Sequence, residues 1–250
     1  ARDALAALSA VAETAATAHD PLSGPLRFGL IPTVGPFLLP RLMPALRGAF
    51  PRLRLWLRED LTQNLVADLE GGRLDLLLLA LPVASADRLD VMPLAEDPFL
   101  AALPPGHRLA ARNILPASAL SGERLLLLED GHCLREHALA ACNLPGPTGG
   151  DSFAATTLHT LVQMVAGGLG VTLLPRLAVE GGVLAGANVE LRPVEDTPGR
   201  MLGLAWRARS PRASEFKDLA ATIRDMLEAG ARGVSGPGGT PPAAGGPAPA

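Results

Sequence analysis

The chain has two cysteines among its 250 residues, Cys133 and Cys142, and both lie in the stretch GHCLREHALAAC. The composition of this stretch predicts a helix. In a helix that rises about 1.5 Å per residue, nine residues separate the two Cα atoms by roughly 13 Å and place them on opposite faces. A disulfide needs Cα atoms within about 7 Å of each other. The two thiols are therefore either inert or able to pair only when the segment unwinds.

Cys133 is predicted to lie in the first turn of this helix, where free N–H groups and the helix dipole favour an anion. His132, Arg135 and His137 are neighbouring hydrogen-bond donors or cations, and such neighbours favour the reactive thiolate form of a cysteine. Two acidic residues just upstream oppose this effect. The alternative is a buried structural cysteine, and the residues alone leave the two roles open.

Cys142 follows apolar helical residues and precedes Asn143-Leu144-Pro145, a sequence that ends helices. Taken alone, it is a structural cysteine at the end of a helix. Helix ends fray, however, and local unwinding can release a thiol held there. Unwinding the two or three turns between the cysteines would let the sulfurs meet, which would make the segment a redox switch.

The elements that must position these thiols alternate between strands and helices. LRFGLI, LRLWL and LDLLLLA predict strands, and helices are expected between them. This βαβαβ order predicts a parallel sheet covered on both faces, and the later elements continue the alternation. We therefore expect an α/β chain of two small lobes with a cleft between them. The further strands are expected near 98–103, 124–128, 170–174, 189–193 and 201–206, and the further helices near 133–141, 157–167 and 212–229.

Two threonines follow strands at the edge where open α/β sheets bind their ligands. Thr33 comes after LRFGLI, and Thr62 comes after LRLWLRED. The commonest role of a threonine at such a turn is to cap the next helix. The other interpretation is that both hydroxyls line the cleft and bind a small polar ligand, and both can hold together.

Other chemistries fit this sequence less well. His132, Cys133 and His137 could share a metal, but structural zinc takes four ligands and no second Cys/His pair is near, so we expect no metal. Cys133 and His159 have the residue types of a Cys/His hydrolase, although nothing in the sequence brings them together. VAGGLGVTLLP resembles a dinucleotide loop, but its glycines end a helix and precede a strand. We therefore expect a glycine cap there and no cofactor.

Composition restricts the partners and the compartment. The chain is 48% hydrophobic with a net charge of −3, which gives no general attraction to nucleic acids or acidic membranes. Its longest apolar run, at 74–83, is too short to cross a bilayer, and no signal peptide is evident. We therefore expect no membrane partner and a cytoplasmic location, where thiols stay reduced. The Gly/Pro/Ala-rich residues 230–250 predict a disordered tail.

Four stretches together resemble the effector-binding domain of LysR-type transcriptional regulators. They are LRFGLIPTVGPFLLPRLMPALRGAFP, LVADLEGGRLDLLLLA, LLLLEDGHCLREHALAAC and TLVQMVAGGLGVTLLPRLAV. The similarity runs from about Gly24 to Met226, and GHCLR with a second cysteine nine positions on resembles the peroxide-sensing members. The resemblance implies two Rossmann-like lobes, as in periplasmic binding proteins. One lobe would hold residues 24–95 and 205–229, and the other residues 96–204 with both cysteines.

The resemblance also implies a function for these residues. Cys133 would be oxidised by hydrogen peroxide to a sulfenic acid, and Cys142 would resolve it as a disulfide. The conformational switch would then control the transcription of oxidative-stress genes. Five further residues match the surroundings of the reactive cysteine in the family: Thr33, Thr62, His132, Arg135 and Arg200.

The partners implied by the resemblance are hydrogen peroxide, other copies of the chain in a dimer or tetramer, promoter DNA, RNA polymerase, and glutaredoxin or thioredoxin as reductant. LysR-type regulators carry an N-terminal winged helix-turn-helix and a linker helix. We find no such DNA-binding domain here, and residues 1–20 predict the end of the linker helix, so we expect a regulatory-domain fragment.

A sensor of this kind reacts stoichiometrically, so we do not expect an enzyme. Two alternatives stay open. One is a thiol peroxidase that uses the same cysteines and turns over with a reductant. The other is a LysR-type or solute-binding domain that holds an organic anion and has idle cysteines.

Overall fold

The computed structural model describes residues 22–83, 88–142 and 154–233 of the chain. The helix expected within 1–20 and the tail beyond 233 lie outside the described residues. Two β-sheets dominate the described part, and helices cover them.

The first sheet is the βαβαβ unit predicted from the sequence, extended by two later strands. Its strand order is β2-β1-β3-β11-β4, with β2 and β3 parallel to β1 and with β11 antiparallel to both β3 and β4. Helices α1 and α2 connect the parallel strands, and α6 follows β11. The bounds are β1 (Gly24–Leu30), α1 (Gly35–Ala49), β2 (Leu53–Glu59), α2 (Thr62–Glu70), β3 (Leu76–Leu81), β4 (Leu89–Asp97), β11 (Arg200–Arg207) and α6 (Ala213–Gly233).

The second sheet has the strand order β6-β10-β5-β9, and a separate parallel pair, β7 and β8, lies beside it. Its bounds are β5 (Phe99–Leu103), β6 (Leu115–Pro116), β7 (Leu127–Leu128), β8 (Ala154–Ala155), β9 (Thr172–Pro175) and β10 (Glu190–Glu195). The helices of this half are α3 (Cys133–Ala141), α4 (Leu158–Ala166) and α5 (Arg176–Glu180), with short 3₁₀ turns at Arg108–Ala111 and Ala117–Leu120.

The chain crosses between the two sheets twice. It leaves the first sheet at the end of β4, at Asp97, and returns at the start of β11, at Arg200. Residues 200–204, which we expected in the second lobe, therefore belong to a strand of the first sheet. In the register of β4 and β11, Arg200 lies directly opposite Asp97.

Helix α6 and the glycine-rich segment at 165–175 both form as the sequence pattern predicts. The apolar face of α6 is buried through Phe216, Leu219 and Ile223, and its backbone is helical as far as Gly233, four residues past the expected end. Helix α4 ends with a cap at Gly167, and Gly168 has a φ of +77°, which confirms the expected glycine cap.

The two halves contact each other through α1 and α5. A Cβ at Gly181, just after α5, would lie 2.5 Å from the Cβ of Phe37, so only glycine allows this approach. The Phe37 ring also stacks on the imidazole of His159, with centroids 5.5 Å apart. Within the described ranges, no helix is long and apolar enough to cross a bilayer.

Candidate functional site

The predicted redox helix is present, and Cys133 is its first residue. Strand β7 leads into a turn at Gly131, whose φ of +94° suits glycine, and His132 occupies the N-cap position of α3. The His132 side chain makes no capping hydrogen bond, and in the first turn the Arg135 N–H donates to the His132 carbonyl at 3.0 Å. The backbone N–H groups of a first helical turn stabilise a thiolate at the helix start. The Cys133 thiol is free and partly buried.

A small recess lies beside Cys133, between the two halves of the molecule. Three short segments converge on it: the turn after β1, the start of α2 and the start of α3. The structure thus brings Thr33, Thr62, His132 and Cys133 together from three separate parts of the sequence. The recess is lined by Ile31, Pro32, Thr33, Leu61, Thr62, Gly131, His132 and Cys133.

The two threonines of the recess do not cap helices, so that interpretation of the sequence was wrong. The N-cap positions of α1 and α2 are Val34 and Leu61, and neither helix has a side-chain cap. Thr33 lies one residue before its cap and Thr62 one residue after, and a side chain displaced by one residue does not bond the first-turn N–H groups as a cap does.

The Thr33 and Thr62 hydroxyls differ in their hydrogen bonds. The Thr33 Oγ1 accepts a hydrogen bond of 2.7 Å from Nη1 of Arg200. The Thr62 Oγ1 is buried and has no hydrogen-bond partner among the described residues. Buried polar atoms are nearly always bonded, so an unbonded hydroxyl facing a recess indicates a place for a polar ligand.

Arg200 is buried, with 2% of its surface exposed, and Asp97 neutralises its charge. The Arg200 Nε donates to Oδ2 of Asp97 at 3.0 Å, and Nη2 donates to the Thr33 carbonyl at 2.9 Å. Arg200 was expected near the site from the sequence, whereas Asp97 was not. The only signal for Asp97 in the sequence was an acidic residue directly before a proline.

Arg135, by contrast, does not line the recess. Its guanidinium donates to the Leu128 carbonyl at 3.1 Å and pairs with Asp130, also at 3.1 Å. The side chain therefore braces the turn that enters α3. Its place in the GHCLR motif put it next to Cys133 in sequence, but its hydrogen bonds lead away from the recess.

The two histidines near Cys133 both favour the neutral form. Burial lowers the pKa of His132 below its usual value, and Glu129 opposes this only in part. Burial also lowers the pKa of His137, and the positive charge of Arg200 lowers it further. At neutral pH, His132 therefore presents a neutral imidazole to the recess, which can donate or accept a hydrogen bond.

Cys142 lies at the other end of α3, in a different environment. It directly follows the helix, is 5% exposed and belongs to the hydrophobic core. Burial raises the pKa of its thiol to about 11. Both cysteines are free, and the intact helix between them keeps the Cα atoms roughly 13 Å apart.

A second, larger recess of about 80 Å³ adjoins the first through Pro32, Thr33 and His132. His159 lines this second recess and Cys133 does not, so the structure separates the two members of the supposed Cys/His hydrolase pair. Among the described residues, no arginine or lysine lines it, and burial raises the pKa of its carboxyl, Glu59. An organic anion would therefore find little compensating charge there.

In the part of the chain that the structure describes, no three His, Cys, Asp or Glu side chains cluster to hold a metal.

The fold and the recess define a class of protein. Residues 19–228 match the LysR substrate binding domain, and the chain belongs to that family. Its two mixed α/β halves are the two lobes of that domain, which resembles periplasmic binding proteins.

The relatives of this chain include peroxide-responsive regulators. It is 42% identical over 228 residues to the DNA-binding transcriptional dual regulator OxyR of Escherichia coli K12, across 91% of this chain and 74% of that protein. It is also 42% identical over 237 residues to the probable hydrogen peroxide-inducible genes activator of Streptomyces viridosporus, across 91% and 73%.

Solved structures of OxyR proteins share the fold. The reduced form of OxyR matches with a TM-score of 0.74 and 42% identity, covering 83% of this chain and 97% of that one. A cysteine mutant of Corynebacterium glutamicum OxyR with bound H₂O₂ matches with a TM-score of 0.81 and 29% identity, covering 92% and 73%.

Proposed function

We propose that this chain is the hydrogen peroxide-sensing regulatory domain of a LysR-type transcriptional regulator. Cys133 is the peroxide-reactive cysteine and Cys142 is its resolving partner. The observation that carries this proposal is the buried Thr62 hydroxyl, which has no hydrogen-bond partner in the small recess beside Cys133. An unpartnered hydroxyl in so small a recess favours a very small polar ligand, and the names of the relatives supply its identity.

In the first step, the Cys133 thiolate attacks one peroxide oxygen and the O–O bond breaks. The sulfur becomes a sulfenic acid, and the leaving hydroxide takes up a proton to form water. Because the Thr33 oxygen already accepts a hydrogen bond from Arg200, its own hydrogen is available to donate towards the recess. Thr62 can donate or accept, and neutral His132 can donate to the leaving oxygen. These groups orient the peroxide against the sulfur.

In the second step, the Cys142 thiol displaces water from the sulfenic acid and forms a disulfide. The helix geometry and the burial of Cys142 both oppose this step while α3 is intact. The disulfide therefore forms only as α3 unwinds, and the unwound segment is the signal. Arg135 acts here as a brace of the helix start and not as a peroxide ligand.

The rest of the signalling cycle is proposed from kinship with transcription regulators. In the whole protein, an N-terminal winged helix-turn-helix binds promoter DNA, the regulatory domains associate as a dimer or tetramer, and RNA polymerase receives the signal. Glutaredoxin or thioredoxin reduces the disulfide in the cytoplasm. The disulfide persists as the signal until a reductant removes it, so the domain acts as a sensor and does not turn over peroxide at a rate typical of enzymes.

The test is titration of the reduced chain with one equivalent of hydrogen peroxide, followed by intact mass and peptide mapping. We expect a Cys133–Cys142 disulfide, seen as the loss of two hydrogens from the intact mass. The Cys133→Ser variant should show no reaction. Two free thiols after one equivalent of peroxide would contradict the proposal and favour the domain with idle cysteines.

A matched pair of variants assigns the two roles. Cys142→Ser should stop at a sulfenic acid on Cys133 that dimedone traps, and Cys133→Ser should give no dimedone adduct at all. If Cys142→Ser yields no adduct, the order of the two cysteines is wrong. Steady-state peroxide consumption with thioredoxin or glutaredoxin, at a rate typical of enzymes, would instead favour a thiol peroxidase.

A further inference from the structure

Asp97 is a buried carboxylate that the chemistry above does not use. It ends β4, at the point where the chain leaves the first sheet, and lies opposite Arg200 in the strand register. Its Oδ2 accepts from Nε of Arg200 at 3.0 Å and lies 2.9 Å from Nη2. Its Oδ1 accepts from the backbone N–H of Leu177, in α5 of the second lobe, at 2.9 Å. Both carboxylate oxygens are therefore engaged.

Arg200 connects Asp97 to the wall of the recess. The Arg200 side chain has no exposed surface, and the guanidinium is planar and rigid. Asp97 holds one edge of it, and the other edge donates to both the hydroxyl and the carbonyl of Thr33, at 2.7 and 2.9 Å. The position of the Thr33 hydroxyl in the recess thus depends on where Asp97 holds the guanidinium.

We propose that Asp97 is a positioning residue for the peroxide reaction, because it fixes the Thr33 hydroxyl through Arg200 and ties this wall of the recess to the second lobe through Leu177. This inference rests on the proposed function. An aspartate suits the position because it has two acceptor oxygens and a negative charge. An asparagine would turn its NH₂ group towards one of the donors and would leave the buried cation without a counter-charge.

The test is Asp97→Asn in a Cys142→Ser background, where Cys133 is the only thiol. The rates of Cys133 with hydrogen peroxide and with iodoacetamide are measured side by side. Alkylation needs an accessible thiolate, whereas the peroxide reaction also needs a correctly placed Thr33. We expect the peroxide rate to fall by up to about tenfold, no more than the loss from Thr33→Val, and the iodoacetamide rate to change by less than about threefold. Equal falls in both rates would overturn the proposal, because a merely structural defect acts on both.

Asp75→Asn is the matched control. Asp75 is also a buried aspartate that pairs with an arginine, Arg27, at 3.0 Å, but it lies at the opposite end of the central strands from the recess. Asp75→Asn should leave the ratio of the peroxide rate to the iodoacetamide rate unchanged. In a Thr33→Val background, Asp97→Asn should add little to the loss of peroxide rate. If the double variant instead combines the full losses of peroxide rate of both single variants, Asp97 acts by a route other than the Thr33 hydroxyl.

If Asp97→Asn does not give a cooperative melting transition, Arg200→Lys carries the same test. The lysine keeps the positive charge, but one ammonium cannot bridge Asp97 and both Thr33 oxygens. We expect the same selective loss of the peroxide rate, and an unchanged ratio would overturn the proposal. Failure of the proposed function itself looks different: the parent chain would then react with peroxide no faster than free cysteine.

Discussion

The two ends of helix α3 carry the same chemical group, a cysteine thiol, in different surroundings. At the first end, Cys133 is only partly buried and lines a recess that it shares with the polar side chains of Thr33, Thr62 and His132. At the last end, Cys142 is buried in the core, and its thiol pKa is raised to about 11. The same functional group is thus accessible at one end of nine residues and concealed at the other.

This difference explains how a helix can order two chemical steps. Under the proposed mechanism, the thiol at the polar end reacts with the oxidant first. The thiol at the apolar end would become reactive only after the helix that conceals it has opened, so we expect oxidation of Cys133 to come first. The packing of α3 and the raised pKa of the Cys142 thiol would together delay the second step.

The largest expected effect is the difference in alkylation between the two cysteines of the reduced native chain. A thiol with a pKa of about 11 is ionised in only about one molecule in a thousand at pH 8. We expect iodoacetamide to modify Cys133 at least about a hundredfold faster than Cys142 at pH 8, as measured by peptide mapping. The raised pKa favours the neutral thiol, so the Cys142 rate should rise about tenfold per pH unit until pH 11 is approached.

Unfolding in urea provides the control for this measurement, because both cysteines are then equally exposed and their alkylation rates should converge. Similar alkylation rates of Cys133 and Cys142 in the native chain would contradict the expected difference between the two ends of α3. They would mean that Cys142 is already accessible in the reduced state and that α3 does not delay the second step.

The next largest effect concerns the packing that conceals Cys142. Leu134 is 2% exposed and, with Ala138, forms the buried face of α3. Leu134→Ala should lower the free energy of unfolding by about 2–4 kcal/mol, measured by urea denaturation, and should speed the alkylation of Cys142. Glu136→Ala, on the exposed side of the same helix, should change stability by less than about 0.5 kcal/mol. Destabilisation without faster alkylation of Cys142 would show that other contacts conceal this thiol.

Much of this contrast could be predicted from the sequence, because it depends on local patterns. Continuous apolar runs predicted the parallel strands, and a turn followed by helix-forming residues placed Cys133 at a helix start. Strand β4 was missed, since it is an edge strand, is interrupted by Pro93 and has an irregular register with β11 near Gly203. Edge strands with prolines do not show the alternation by which strands are recognised.

Long-range pairs were harder to predict than elements. Asp97 and Arg200 are 103 residues apart, and their pairing depends on the register of β4 against β11, which no local pattern specifies. Arg135 shows a different limit of prediction from the sequence. It is close to Cys133 in the sequence, but this closeness does not determine which way a helical side chain points.

The smallest expected effect concerns the two threonines beside Cys133, at the polar end of α3. Thr62→Val replaces an unbonded buried hydroxyl with a methyl group, so the unfolding free energy should stay the same or rise by about 1 kcal/mol. Thr33→Val loses a hydrogen bond from a charged group and should lower it by about 1.5–3 kcal/mol. Both variants should slow the formation of the sulfenic acid on Cys133 about tenfold, measured with dimedone in a Cys142→Ser background. A Thr62→Val variant that is less stable and still reacts like its parent would make this hydroxyl a structural group, and the recess would lose the feature that indicates a ligand.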